Sequence, residues 1–213
     1  MRYLMMSALV PFTIYIAICS VGIFYPLDLS ATSWSLEEEE EGCLRYKGSK
    51  QGDILPIKIV CTWPLSTKAV QKVLSRPQHY HRCFSRVKKS RLIHTPSKPK
   101  SLIRVYQIHD GSPASDRAVY LDYVIKQRVN EWILRFQQSP QGEVASIDEK
   151  WVTVKAHKGI WTVSKHTKGV QVSLQSMYDP GGSVPSFLVR WFMGSGVQKM
   201  MNELRRCAQK TGL

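Results

Sequence analysis

Acidic side chains are scarce in this chain: 16 Asp and Glu stand against 30 Lys and Arg over 213 residues, a formal net charge of +14. Asp110, Asp116, Asp122 and Asp148 are scattered. No spacing sets two of them on one site, so paired acid/base chemistry finds no support. Also missing are a Cys-x-x-Cys pair, a nucleophile elbow, a Gly-rich phosphate loop and a zinc-protease His-Glu signature. His79 and His81 are two apart, which aligns ligands on a strand but not on the helix expected there, and no third ligand follows at a useful spacing. No metal, no cofactor and no catalytic residue is therefore expected. Repeats and low-complexity tracts are absent as well.

What is present begins with an apolar leader. Arg2 precedes an almost uncharged run over 3–27, rich in Leu, Ile, Val, Phe and Ala. It is long enough for a signal peptide and for one membrane span. Leu29-Ser30-Ala31 is an acceptable cleavage site, and the cation before the run with acids after it places the domain outside. Residues 1–31 are thus expected to direct export, as a cleaved signal or as an anchor, and 32–213 to form one domain that is periplasmic or secreted and monomeric. Cys43, Cys61, Cys83 and Cys207 follow the leader, an even count that permits two disulfides in an exported chain. Cys43 with Cys61 is the first pair to consider; buried free thiols are the alternative, since a domain of this size needs no staples.

Along the domain, 34–41 reads as a short acidic-faced helix before a strand at 43–47. The segment 55–63 alternates, with Ile57, Ile59, Cys61 and Trp63 on one side, as in a half-buried strand. Ser66 then caps a helix carrying Ala69, Val70, Val73 and Leu74, which Arg76-Pro77 ends. A further helical turn or two is expected over 78–84. Strands are expected at 87–93, 102–108, 117–127, 130–137, 151–157, 160–164 and 170–177, with connections short enough for antiparallel meanders. Helices early and late around a sheet make an α+β fold. In 117–126, Arg117, Val119, Leu121 and Tyr123 share one face, and in 170–177, Val172 and Leu174 do.

The end of the chain is the most distinctive stretch. Asp179-Pro180-Gly181-Gly182 is a turn, Ser183 a helix cap, and Val184, Phe187, Leu188, Trp191, Phe192, Val197, Met200, Met201, Leu204 and Ala208 recur at three- and four-residue steps. One long helix is expected there, interrupted at Gly194-Ser195-Gly196.

The string Asp-Pro-Gly-Gly-Ser-Val-Pro-Ser-Phe-Leu-Val from Asp179, the Trp34-Ser-Leu-acidic opening and Asp116-Arg117 at a strand head together resemble the START (StAR-related lipid-transfer) domains, bacterial members in particular. The resemblance spans about Trp34 to Gln209. It implies the helix-grip fold, a curved antiparallel sheet around a long C-terminal helix with a hydrophobic cavity between them. Two departures stand out: Ala118 replaces a second acid, and Tyr123 stands where sterol-binding relatives carry Arg, which speaks against a cholesterol assignment.

The expected function is non-catalytic binding and transfer of a lipid or other hydrophobic ligand, held by Arg117, Val119, Leu121, Tyr123, Val172, Leu174, Phe187, Leu188, Trp191 and Met200. Arg117 can meet a head group or, with Asp116, fix the preceding loop. A hinge at Gly194–Gly196 and a gate at the 109–115 loop would admit the ligand. The basic stretch Arg82, Arg86, Lys88, Lys89, Arg91, Lys98, Lys100 and Arg104 holds too few aromatics for single-stranded nucleic acid and suits an anionic membrane surface. Two alternatives remain: a membrane-tethered interaction module with a filled core, and a helix-grip cyclase or hydrolase, which needs a cavity acid or His of shifted pKa that no position announces.

Overall fold

A computed structural model describes residues 32–51, 54–93, 102–140, 145, 147–148, 150–184 and 194–211. Among them ten strands form one sheet: β1 (Trp34–Glu40), β2 (Cys43–Gly48), β3 (Ile57–Trp63), β4 (Val87–Leu92), β5 (Leu102–His109), β6 (Arg117–Gln127), β7 (Glu131–Gln138), β8 (Val152–Thr153), β9 (Ala156–His166) and β10 (Gly169–Asp179). The order across the sheet is β1-β2-β3-β10-β9-β7-β6-β5-β4, antiparallel throughout, with the two-residue β8 alone pairing in parallel, beside β6. The central run is a meander, and the early hairpin joins it when β3 pairs with β10. Helix α1 (Thr67–Leu74), a 3-10 helix (Pro77–Arg82) and helix α2 (Ser195–Thr211) complete the fold. It is a curved sheet closed by a C-terminal helix, the helix-grip arrangement.

Local chemistry accounts for most of these elements. Ile57, Ile59, Cys61 and Trp63 of β3 are buried while their neighbours are half-buried, so alternation reports a one-sided strand. The Ser66 side chain accepts from Ala69 N at 3.2 Å and starts α1, whose Ala69, Val70, Val73 and Leu74 are buried. At the end of β10, Asp179 Oδ1 accepts from Gly181 N at 3.0 Å, and Gly181 and Gly182 take φ of 66° and 64°, a turn that only glycine makes without strain.

Two expectations fail. The acidic segment 34–41 is a strand, β1, hairpinned to β2 through Glu41 and Gly42, both at positive φ. Glu is a good helix former, but here Glu38 pairs with Arg45 and Glu37 lies 3.6 Å from Lys47 across the hairpin. A row of carboxylates on an edge strand also discourages pairing with another sheet. Second, 151–157 and 160–164 are not two strands about a turn. In the first, Val152–Thr153 is a two-residue strand and Ala156–His157 already belong to β9, which runs unbroken through Gly159. That glycine is small because the Phe136 ring covers it: a Cβ there would sit 2.5 Å from Phe136 Cζ. The described part of the C-terminal helix begins at Ser195, with Gly194 in the turn before it, at the place where an interruption is expected. The stretch 185–193 lies outside the described residues.

Both pairs of cysteines are bridged. Cys43–Cys61 ties β2 to β3 and Cys83–Cys207 ties the end of the 3-10 helix to α2. On the outer face of β5 and β6, Tyr106, Ile108, Ala118 and Tyr120 pack with Ile147 and Trp151. Beside them Arg104 and Asp122, both buried, pair at 2.5 and 2.6 Å, and Ser139 Oγ donates to Asp122 Oδ1 at 2.6 Å. Arg104 is thus an interior cation and leaves the basic surface stretch.

Candidate functional site

The inner face of the sheet, the face that carries α2, is solid over one part and hollow over another. Trp132, Leu134, Val163, Val172 and Cys61 join α1 and the Met201, Leu204 and Ala208 side of α2 in the main apolar cluster. One turn earlier, Val197 and Met200 of α2 look across a cavity of about 190 Å³, room for on the order of a dozen waters. Tyr123, Phe136, Trp161 and Leu174 form its sheet wall. The space exists partly because Gly159 and Ser176, cross-strand partners in the middle of that wall, carry almost no side chain.

Four polar side chains close the end where β5 and β10 finish and β6 and β9 begin. His109 and Arg117 are register partners, as are His157 and Tyr178. The His109 and His157 ring centres are 5.5 Å apart, His157 and Tyr178 4.9 Å, and Phe136 stands edge-on to His157 at 5.0 Å. Burial pushes His109 down to about 4 and holds His157 well below the usual imidazole range, with His109 adding to the effect on His157. The same burial raises the Tyr178 phenol, which the Arg117 charge opposes.

Hydrogen bonds behind the wall set the state of His109. Ser90 Oγ donates to the Pro77 carbonyl at 2.7 Å, so it accepts from Gln107 Nε2 at 3.1 Å. The Gln107 amide oxygen therefore faces His109 and takes a bond from Nε2–H at 3.0 Å. The neutral ring is left with Nδ1 as its acceptor. On His157, Nδ1 is buried without a hydrogen-bond partner.

Of the expected ligand-binding residues, Arg117, Tyr123, Leu174 and Met200 line the cavity. Val119, Leu121 and Val172 are fully buried in the apolar cluster and stand off the cavity wall. Phe187, Leu188 and Trp191 lie outside the described residues. His109, His157, Tyr178 and Glu203 were not anticipated. Glu203 is buried on α2, lines the cavity and accepts from Ser85 N at 3.1 Å. The statement that no interior His or acid announces itself is thereby corrected.

The expected Asp116–Arg117 pair is not made either. Asp116 binds Lys88 Nζ at 2.7 Å and accepts from Gly111 N at 3.2 Å, while Arg117 Nη1 donates to the Ser115 carbonyl. Asp110 adds ion pairs to Arg86 at 2.8 Å and Lys88 at 3.2 Å. The 109–115 loop is braced at so many points that it makes a poor gate. Those pairs also occupy Arg86 and Lys88, so the basic stretch keeps Arg82, Lys89 and Arg91 exposed; Lys98 and Lys100 lie outside the described residues. No group of three metal-ligating side chains occurs among the described residues, and no described helix is long and apolar enough to cross a membrane.

Comparison with solved structures gives the fold its name. The STAR-related lipid transfer protein of Xanthomonas axonopodis superposes with a TM-score of 0.72 at 21% identity, over 83% of this chain and 98% of that one. Human STARD10 gives 0.73 at 15% identity, over 83% of this chain and 73% of that one. The Zhui aromatase/cyclase from Streptomyces sp. R1128 gives 0.56 at 12% identity, over 74% and 94%. No protein-family model and no curated protein matches the sequence. The chain has a START-like fold.

Proposed function

We propose that this START-like chain carries a lipid or other hydrophobic molecule in the cavity between its sheet and α2, and releases it unchanged. The observation that carries this is the cavity itself: about 190 Å³ of space walled by Tyr123, Phe136, Trp161, Leu174, Val197 and Met200, in a fold that fills the rest of the same sheet face. An apolar chain entering it gains about 25 cal/mol for each Å² taken from water, enough for useful affinity without any reaction. Expected ligand contacts are Arg117, Tyr123, Leu174 and Met200, together with the two histidines and Tyr178.

Export fits this role. Two disulfides among the described residues suit an oxidising compartment, and an apolar leader over 3–27 is what an export route would need. The exposed Arg82, Lys89 and Arg91 favour exchange at an anionic membrane surface.

Native mass spectrometry of the purified chain, followed by organic extraction, tests the proposal. A lipid of defined mass that leaves on denaturation supports it. A bare protein that also takes up no fluorescent lipid from vesicles overturns it in favour of an interaction module. One observation favours a cyclase- or hydrolase-type enzyme, the meeting of two neutral imidazoles with Tyr178. Extracting the ligand before and after prolonged incubation separates the readings: unchanged mass keeps the carrier, a converted product the enzyme.

A further inference from the structure

Two arginines among the described residues are almost completely buried, and only one has found a carboxylate. Arg104, 1% exposed, is held bidentately by Asp122 on the outer face. Arg117, 5% exposed, lines the cavity and makes no ion pair among the described residues. Its Nη1 donates to the Ser115 carbonyl and its Nε is buried without any partner. The acids nearest in sequence, Asp110 and Asp116, are taken by Arg86 and Lys88. An interior cation left this way costs several kcal/mol unless an anion reaches it, so the arrangement makes sense when the cavity is occupied.

We propose that Arg117 receives the anionic head of the carried molecule, and that the ligand is a single-chain amphiphile with one carboxylate. The inference rests on the carrier reading and deepens it. Charge counting selects the carboxylate: among the charged side chains that line the cavity, Arg86 is answered by Asp110 and Lys199 is matched in number by Glu203, which leaves the single charge of Arg117 unbalanced. A phosphate monoester brings about −1.5 to −2 at neutral pH, more than one guanidinium balances. The neighbouring imidazoles add no second cation: burial keeps both rings neutral, and the bond from His109 Nε2–H to Gln107 leaves Nδ1 as a nitrogen that accepts rather than donates. The planar guanidinium matches a carboxylate in geometry, and the apolar wall that runs from Phe136 to Leu174 and Met200 suits the chain behind it.

The test holds the chain length fixed and changes the head. Palmitic acid, 1-hexadecanol and hexadecyl phosphate are titrated against a bound fluorescent lipid on the full chain, purified and stripped of lipid. Palmitate is expected to bind at least about tenfold tighter than hexadecanol, the effect of one charge-assisted contact. Arg117→Gln should bring acid and alcohol within about twofold of each other, and Arg117→Lys should restore part of the preference. Equal binding of acid and alcohol to the wild-type chain overturns the inference and leaves the carrier reading standing. Hexadecyl phosphate binding tighter than palmitate overturns the carboxylate and moves the anion to a phosphate. Displacement by none of the three overturns the inference alone, whereas failure of the fluorescent lipid itself to bind removes the carrier reading. Should Arg117→Gln fail to fold, the wild-type ratio of acid to alcohol decides alone.

Discussion

The same sheet face meets the same helix twice, and the outcomes are opposite. Where Trp132, Leu134, Val163 and Val172 face α1 and the Leu204 side of α2, the space is filled. Where Phe136, Gly159 and Ser176 stand one or two register positions further along, the space opens and its far end is polar. The backbone hydrogen-bonding is continuous across both. The difference lies in side-chain volume, in small residues at the centre of the hollow part and in buried polar atoms left without protein partners at its end. The filled half works as an anchor that lets the other half stay under-packed, since an empty region forfeits the dispersion contacts that a close-packed interior collects.

The largest expected effect strikes the joint between the halves. Cys83–Cys207 closes a loop of sequence separation 124, against 18 for Cys43–Cys61. Chain entropy then assigns about 5 kcal/mol to the first and about 3 kcal/mol to the second. Urea denaturation of the Cys83→Ser/Cys207→Ser and Cys43→Ser/Cys61→Ser double variants should show that order; the reverse would mean that the joint is relaxed in the unfolded chain. Next come the two sides of α2. Leu204→Ala, fully buried in the solid half, should cost about 3 kcal/mol or more. Met200→Ala, half-buried on the cavity wall, should cost under about 1.5 kcal/mol yet weaken lipid uptake. Equal stability losses would erase the distinction between the halves.

The two halves were unequally legible in the sequence. Alternation announced β3 and β10 because one side of each is buried and the other only half-buried, whereas β6 is buried on both faces over Arg117–Tyr123; a Pro-Gly-Gly turn followed by an apolar stripe announced the closing helix. The acidic β1 misled because Glu favours helix locally, whereas its strand state comes from pairing with β2. Gly159 read as a turn because glycine usually is one; the ring that demands it, Phe136, lies on another strand. His109 and His157 were invisible for the same reason: they become a pair only when the ends of β5 and β9 converge. One signal was available. On β5, Val105, Gln107 and His109 share a face, and two polar residues closing an apolar row mark a polar end to a buried surface.

That polar end should show itself in acid. The unfolded chain takes up a proton near pH 6.5, whereas the desolvated His109 resists until about 4 and His157 is lowered as well. Around them stand Arg117, the Asp110–Arg86 pair and, from α2, Lys199 and Glu203. Between those values the unfolded state holds more protons, so the stability that the neutral rings permit above pH 6.5 drains away as pH falls. His109 alone accounts for about 2 kcal/mol between pH 7 and 5. His109→Asn should flatten the slope of urea midpoint against pH over that window, and an unchanged slope would place the titration elsewhere.

The smallest expected change in stability carries the sharpest test of what the hollow half is for. Ser176 is buried on β10 at the centre of the cavity wall, and its hydroxyl makes one long hydrogen bond, to the Lys158 carbonyl at 3.3 Å. Ser176→Phe sends a ring into the open space at little cost, because the displaced volume is cavity and one weak contact is lost. The urea midpoint should move by no more than about 1 kcal/mol in either direction. If the hollow is merely imperfect core, filling it improves packing and nothing else changes. If it is the place where a ligand sits, the same variant folds as before and loses uptake of fluorescent lipid from vesicles. A folded Ser176→Phe chain that still takes up lipid at the wild-type rate would move the binding site out of this cavity and end the comparison of the two halves as an account of function.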